Sequence, residues 1–162
     1  MKGLTVNAVA AGAVAAILFL APGAVGAYGA YVIDFHGMGV SGDFAKGHVA
    51  DNGAYLAYKN GFFSSLSFFW SGEAGYRFVD KSCHARAGID AMFLFVGIQT
   101  GIILAYQPDH ARDYTQGAYA GIGGAIPIGR KAAWFLFTGG QFFLDRAWEF
   151  YVSTSVVFNL FG

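Results

Sequence analysis

The sequence has little charge, little proline and almost no cysteine. Asp, Glu, Lys and Arg make up 12% of its 162 residues, about half of what a soluble domain usually carries. Ten basic residues balance ten acidic ones without forming a basic patch, so nucleic acid is not expected as a partner. The single cysteine, Cys83, cannot form an intramolecular disulfide, and we expect a buried free thiol rather than an intermolecular link.

Apolar and small residues are abundant instead. Hydrophobic residues make up 56% of the chain and aromatic residues 18%, and there are 24 glycines and 17 phenylalanines. This combination is typical of a membrane protein that is built from strands with aromatic girdles rather than from long helices.

Residues 1–27 have the pattern of an export signal. Lys2 gives a positive start, Ala8–Leu20 is apolar, and the small residues Val25–Ala27 follow a Pro-Gly break. The pattern predicts a signal peptide over 1–27, cleaved before Tyr28, and one domain over 28–162. An uncleaved membrane anchor that continues through Ile33 is the alternative. No cysteine lies in this segment, so a lipid-modified N-terminus is not expected.

The final segment, 147–161, gives the clearest structural signal. Its alternate residues are almost all apolar on one parity, from Trp148 to Leu160, and mostly polar on the other, from Glu149 to Asn159. Side chains alternate across a strand, so this pattern predicts a strand with one apolar face and one polar face. The run is long for a soluble strand and sufficient for one tilted across a bilayer.

The rest of the chain divides into further strands at turn signals. Strands are predicted near 28–40, 54–59, 62–78, from Cys83 to about Val96, 98–106, 114–127, 134–143 and 147–161. The segment 41–51 is interpreted as a loop, Asn60-Gly61 as a hairpin turn, and Gly97 as an uncertain turn. Phe69 is the one residue of 62–78 that does not fit the alternation. The total is eight, an even number that suits a bacterial barrel.

A helical membrane protein is the structural alternative. Ala91–Pro108 has no charge over nearly the length of a spanning helix, and Gly97 and Gly101 have the GxxxG spacing. Such a protein would use 4–33, 91–108 and 131–144 as spans. The two best-patterned segments have a period of two, however, which on a helix would scatter Glu73, Arg77 and Glu149 around the surface.

The export signal, the alternating aromatic strands and the aromatic last strand resemble small bacterial outer-membrane β-barrel proteins. The resemblance covers 28–162 and departs from the usual pattern at the C-terminus, where Gly162 follows Phe161. It implies an all-β, transmembrane, antiparallel up-and-down barrel of about eight strands in the outer membrane. The implied partners are membrane lipids and the outer-membrane assembly machinery, and no soluble partner is indicated.

The two parities then predict two sets of residues. Lipid-facing aromatic residues are expected at Phe68, Trp70, Trp148, Phe150 and Phe158. A polar network in the barrel interior, the lumen, is expected at Asp34, His36, Glu73, Arg77, Arg86, Asp90 and Glu149. Eight strands leave room for little more than side chains, so we expect paired charges to fill the lumen. The predicted role is structural or interactive, with a narrow polar path or pore as a less favoured possibility.

The histidines leave an enzyme as an alternative. His36, His48, His84 and His110 lie at or near predicted loops, close in sequence to Ser41, Ser82, Asp51 and Asp109. Such residues could form a rim site that modifies lipid or lipopolysaccharide. No GxSxG nucleophile motif is present, and Cys83 with His84 supplies only two metal ligands. No catalytic residue, metal or cofactor is therefore predicted.

Overall fold

In the computed structural model, the described residues are 33–47, 50–107, 114–144 and 146–161, and they form eight strands. These are β1 (Ile33–Lys46), β2 (Ala50–Phe63), β3 (Leu66–Arg77), β4 (Ser82–Phe93), β5 (Val96–Tyr106), β6 (Tyr114–Ile128), β7 (Ala132–Phe143) and β8 (Arg146–Asn159). The predicted signal peptide, the predicted strand start at 28–32, and His48, His110 and Asp109 lie outside the described residues.

The eight strands form a closed antiparallel barrel in which each strand pairs with its neighbours in sequence and β1 pairs with β8. The predicted all-β barrel and its count of eight strands are confirmed. The end that carries Ile33, Asn159 and the turns 64–65, 94–95 and 129–131 is called the terminal end. The opposite end, with the connections 47–49, 78–81, 107–113 and 144–145, is called the loop end.

The helical alternative is wrong for the described residues. Ala91–Phe93 belongs to β4 and Val96–Tyr106 to β5, and the two strands pair from Phe93 with Val96 onwards. The turn falls at Leu94-Phe95 rather than at Gly97, and Leu94 has a φ of 58°. No helix in the described part of the chain is long and apolar enough to cross a membrane.

Two predicted breaks in the first half of the barrel are wrong. The segment predicted as a loop at 41–51 is mostly strand, because its polar residues Ser41, Asp43 and Asp51 are buried inside the barrel. Asn60-Gly61 lies within β2, paired with Trp70 and Phe69. The hairpin turn occurs at Ser64-Ser65, where the Ser64 hydroxyl accepts from Leu66 N and donates to Leu66 O. Serine hydroxyls stabilise such turns by bonding to the nearby backbone.

Four phenylalanines fill the lumen at the terminal end. Phe35, Phe63, Phe69 and Phe135 are almost fully buried, and their ring centroids lie 4.7–6.4 Å apart. We call these four rings the aromatic plug. Phe69 therefore keeps the strand alternation, and it breaks only the assumption that every inward residue is polar.

The aromatic plug also corrects two predicted lumen residues. Phe35 points inward, so its neighbours on β1 lie on the opposite parity: Asp34 is exposed and His36 is half-buried. Their prediction as lumen residues is wrong because it assigned the apolar parity of this strand to the outside. At the terminal end, the apolar side chain of Phe35 on β1 instead packs inside the barrel.

Asn159 joins three parts of the barrel at the terminal end. Its amide nitrogen donates to Asp34 O and Arg130 O at 3.1 Å each, and its amide oxygen accepts from His36 N at 3.2 Å and Phe161 N at 3.3 Å. One side chain thus ties the end of β8 to β1 and to the β6–β7 turn.

Replacing Asn159 with Ala should lower the free energy of unfolding by about 1–3 kcal/mol, because several hydrogen bonds are lost at a half-buried site. Urea unfolding, followed by the heat-modifiable migration of the folded barrel on a gel, measures the change in the free energy of unfolding. Asn60→Ala is the control, since Asn60 is also half-buried and makes no side-chain hydrogen bond among the described residues. Equal stabilities for the two variants would contradict the assigned role of Asn159.

Candidate functional site

Arg86 on β4 lies at the centre of a buried polar cluster in the lumen. Its guanidinium donates to Asp43 on β1, to Glu73 on β3 at 3.4 Å and to Gln141 on β7 at 3.2 Å. All four side chains are at most 8% exposed. We call these four residues the Arg86 cluster. Because its members come from four strands, the cluster links opposite sides of the barrel wall.

Two tyrosines pack beside the Arg86 cluster. Tyr151 lies with its ring centroid 5.6 Å from the Arg86 guanidinium and donates its hydroxyl to Gln99 at 3.3 Å. Tyr119 is 6.2 Å from Tyr151, ring to ring. Each hydroxyl lies against a glycine two strands away: a Cβ at Gly88 would collide with the Tyr119 hydroxyl, and one at Gly121 with the Tyr151 hydroxyl. Glycine in a strand often marks such a close approach.

Arg77 continues the network toward the loop end. Its Nη1 donates to Glu149 at 2.9 Å, and Gln141 donates to the same carboxylate at 2.6 Å. Asp43 and Asp80 lie 3.9 and 4.0 Å from the Arg77 guanidinium. The Glu149 side chain is 14% exposed whereas that of Arg77 is 1% exposed, so water approaches this pair from the loop end.

A separate ion pair lies between the Arg86 cluster and the aromatic plug. Lys59 Nζ donates to Asp90 at 2.6 Å, Ser71 donates to the same carboxylate at 3.3 Å, and both charged side chains are at most 1% exposed. Lys59 Nζ also lies 5.0 Å from the ring centroid of Phe135, within the range of a cation–π interaction.

The predicted lumen residues therefore fall into two groups. Glu73, Arg77, Arg86 and Glu149 join one network, whereas Asp90 pairs with Lys59. Two central charges were missed. Asp43 lies in the segment predicted as a loop, and Lys59 was not assigned to a face. The alternation of the strands was the available signal. Asp43 lies two residues after Ser41 on β1, and Lys59 lies two residues after Ala57 on β2, so each shares the inward parity of that neighbour.

The outward face of the barrel is apolar. The predicted lipid-facing residues all lie on it: Trp70, Trp148 and Phe158 are 57–60% exposed, and Phe68 and Phe150 are half-buried. Aliphatic side chains such as Val40, Leu56, Ile102 and Ile122 occupy the middle of the strands and are 60–65% exposed.

Outward aromatic residues concentrate toward both ends of the barrel. Near the terminal end these residues are Phe62, Phe68, Trp70, Phe93, Trp134 and Phe158. Near the loop end they are Phe44, Tyr76, Tyr106, Tyr114, Phe142, Trp148 and Phe150. Tyr58, near the middle of β2, departs from this pattern. Two aromatic bands separated by an aliphatic one match the girdles of a membrane barrel.

Asp80, Ser82 and His84 come together at the loop end, as the enzyme alternative would require. The Ser82 hydroxyl lies 2.6 Å from His84 Nε2 and also donates to Asp80 Oδ1. In a catalytic triad the histidine lies between the serine and the acid, whereas here the serine lies between them. The Ser82 hydroxyl has one hydrogen and donates it to Asp80 in a hydrogen bond, so it accepts a hydrogen bond from His84. In this arrangement His84 does not act as the base for Ser82. Ser82 is also fully buried.

The acid of this trio has an altered pKa. Burial in the turn 78–81 raises the pKa of Asp80 above its usual range, and hydrogen bonds from Ser82 oppose that shift.

Cys83 and His84 point to opposite sides of the barrel wall. Cys83 is exposed, so the prediction of a buried thiol is wrong, while His84 is 2% exposed on the lumen side. Adjacent strand residues alternate in this way, so the two side chains cannot share a metal ion. The described residues contain no group of three or more His, Cys, Asp or Glu side chains that could hold one.

Comparison of the chain with protein-family models, with curated proteins and with solved structures found no match. The described residues form a closed eight-stranded antiparallel barrel with salt bridges in its interior.

Proposed function

We propose that this protein is an outer-membrane β-barrel with a filled lumen and a structural or interaction role. Its eight strands cross the bilayer, membrane lipids cover its outward face, and the outer-membrane assembly machinery inserts it. Residues 1–27 serve as the export signal and are removed before Tyr28.

The observation that carries this proposal is the separation of charge between the two faces. Within the strands, the described charged side chains point into the lumen, except for Asp34 and Lys46. Those two lie near opposite ends of β1. The outward band between the ends is therefore uncharged on every described strand. A soluble barrel would gain nothing from this arrangement, whereas hydrocarbon requires it.

The strand lengths support the same proposal. The strands have 11–15 residues, and a tilted strand needs about 9–11 residues to cross the hydrocarbon core. The strands can therefore span the bilayer and still place their aromatic ends at the two interfaces.

The filled lumen favours a structural role over transport. The aromatic plug occupies the terminal end, the Lys59–Asp90 pair follows, and the Arg86 cluster occupies the next level. An eight-stranded barrel is just wide enough for side chains to fill it, and these successive layers of buried side chains support a structural role.

Leu56→Arg should block insertion far more than Asn52→Arg. Both residues are outward and exposed on β2, but Leu56 lies at mid-strand and Asn52 near the loop end. Arginine costs about 2–4 kcal/mol at the midplane and about 0–1 kcal/mol near the interface. The fraction of protein that floats with phospholipid vesicles and shows heat-modifiable gel migration measures insertion. Equal fractions for the two variants would refute a lipid-covered outer wall.

A further inference from the structure

A groove of about 640 Å³ opens at the loop end, and the residues that line it lie mostly on the outward face of the barrel. Its floor contains the small side chains of Ala74, Cys83 and Ala85, on the paired strands β3 and β4. Leu104 pairs with Ala85 and forms the next part of the lining. The groove exists because small residues on two neighbouring strands lie beside larger ones on β5.

A second groove extends the first one along apolar side chains. This groove of about 300 Å³ shares Leu104, Gln116 and Leu144 with the first and continues along Ile102 and Ala118. Ile102 and Ala118 face each other across β5 and β6, farther from the loop end than Leu104 and Gln116. The combined groove extends across β3 to β7 near the loop end and reaches Ile102 and Ala118, toward the apolar middle of the wall.

The loop end of the groove is polar, and a cation lies close to it. Tyr106 and Tyr114 line it with ring centroids 4.7 Å apart, and Thr115 and Gln116 add polar groups. Lys81 is exposed in the turn two residues before Cys83, which places its Cα within about 7 Å of that groove residue. Among the described residues no ion pair includes Lys81, whereas its neighbour Asp80 is directed to Arg77 and Ser82.

We propose that this groove holds an acyl chain of an anionic membrane lipid, whose headgroup contacts Lys81. The inference rests on the proposed membrane function, because only an inserted barrel presents the groove to lipid. An apolar groove with a cation close to its loop end suits the acyl chain and the charged headgroup of such a lipid. The lipid would come from the leaflet at the loop end.

Native mass spectrometry tests the proposal. Protein inserted into vesicles of equal parts phosphatidylglycerol and phosphatidylcholine with identical chains is extracted in mild detergent, and the retained lipid is identified. The parent should retain phosphatidylglycerol over phosphatidylcholine by about two- to fivefold, as expected for one exposed ion pair. Lys81→Gln should keep the bound lipid but lose this preference.

Filling the groove provides the second arm. Ala85→Leu should abolish lipid retention, whereas the control Ala54→Leu should not, because Ala54 is outward and exposed on β2 away from the groove. Equal retention by the parent and Ala85→Leu, or no headgroup preference in the parent, would overturn the proposal while leaving the membrane barrel intact. Failure of the parent to float with vesicles would instead overturn both the proposed function and this inference.

Discussion

Arg86→Ala should be the most destabilising removal of a charge in the lumen. Arg86 compensates Asp43 and Glu73, and all three side chains are at most 8% exposed. Removing the cation leaves two buried carboxylates without their main partner, which typically costs about 3–5 kcal/mol. The measurement is urea unfolding of the refolded protein, followed by heat-modifiable gel migration.

Two further variants separate the ion pair from a general loss of packing. Arg86→Ala combined with Asp43→Ala should recover part of the loss, because residues in contact are not additive. Arg77→Ala should cost less than Arg86→Ala, since its closest partner Glu149 is reached by water at the loop end. If Arg86→Ala unfolds at the same urea concentration as the parent, the Arg86 cluster does not stabilise the barrel.

Phe135→Ala should produce a loss of similar size at the terminal end. Phe135 is 1% exposed, contacts the other three rings of the aromatic plug and lies under Lys59. Truncating a buried phenylalanine costs about 3–5 kcal/mol, because apolar contact is lost and a cavity remains. The same unfolding assay reports the change.

Phe142→Ala is the matched control for the aromatic plug. Phe142 lies on the same strand, but it is 53% exposed on the outward face. Its truncation removes contact with the surroundings and opens no cavity in the lumen, so the loss should be much smaller. A larger loss for Phe142→Ala than for Phe135→Ala would show that the terminal end is not held by internal packing.

The outward face was the part of this fold that the sequence predicted best. The alternation of apolar and polar residues in β3 and β8 placed Trp70, Trp148 and Phe158 correctly on the outside. Apolar residues occupy the outward face along the length of these strands, so one rule assigns that face. The number of strands also followed from the turn signals, although the Asn60-Gly61 signal lies within a strand, where pairing with β1 and β3 overrides the local turn preference.

The lumen was harder to predict because its environment changes along the barrel. Phenylalanines face inward at the terminal end and charged residues face inward farther along, so neither polarity alone identifies the inward parity. Asp34 and His36 were misassigned for this reason. Asp43 was missed because a strand whose inward residues are polar, as at Ser41 and Asp43, resembles a loop in sequence.

Quenching of tryptophan fluorescence by brominated lipids tests the membrane assignment most directly. The chain has three tryptophans; Trp70, Trp134 and Trp148 are all on the outward face, 60%, 38% and 58% exposed. In vesicles, bromine on the lipid chains should quench the fluorescence strongly, most of all when it is near the headgroups, while aqueous acrylamide should quench it weakly. Strong quenching by acrylamide with none by any brominated lipid would contradict a barrel whose wall faces the bilayer.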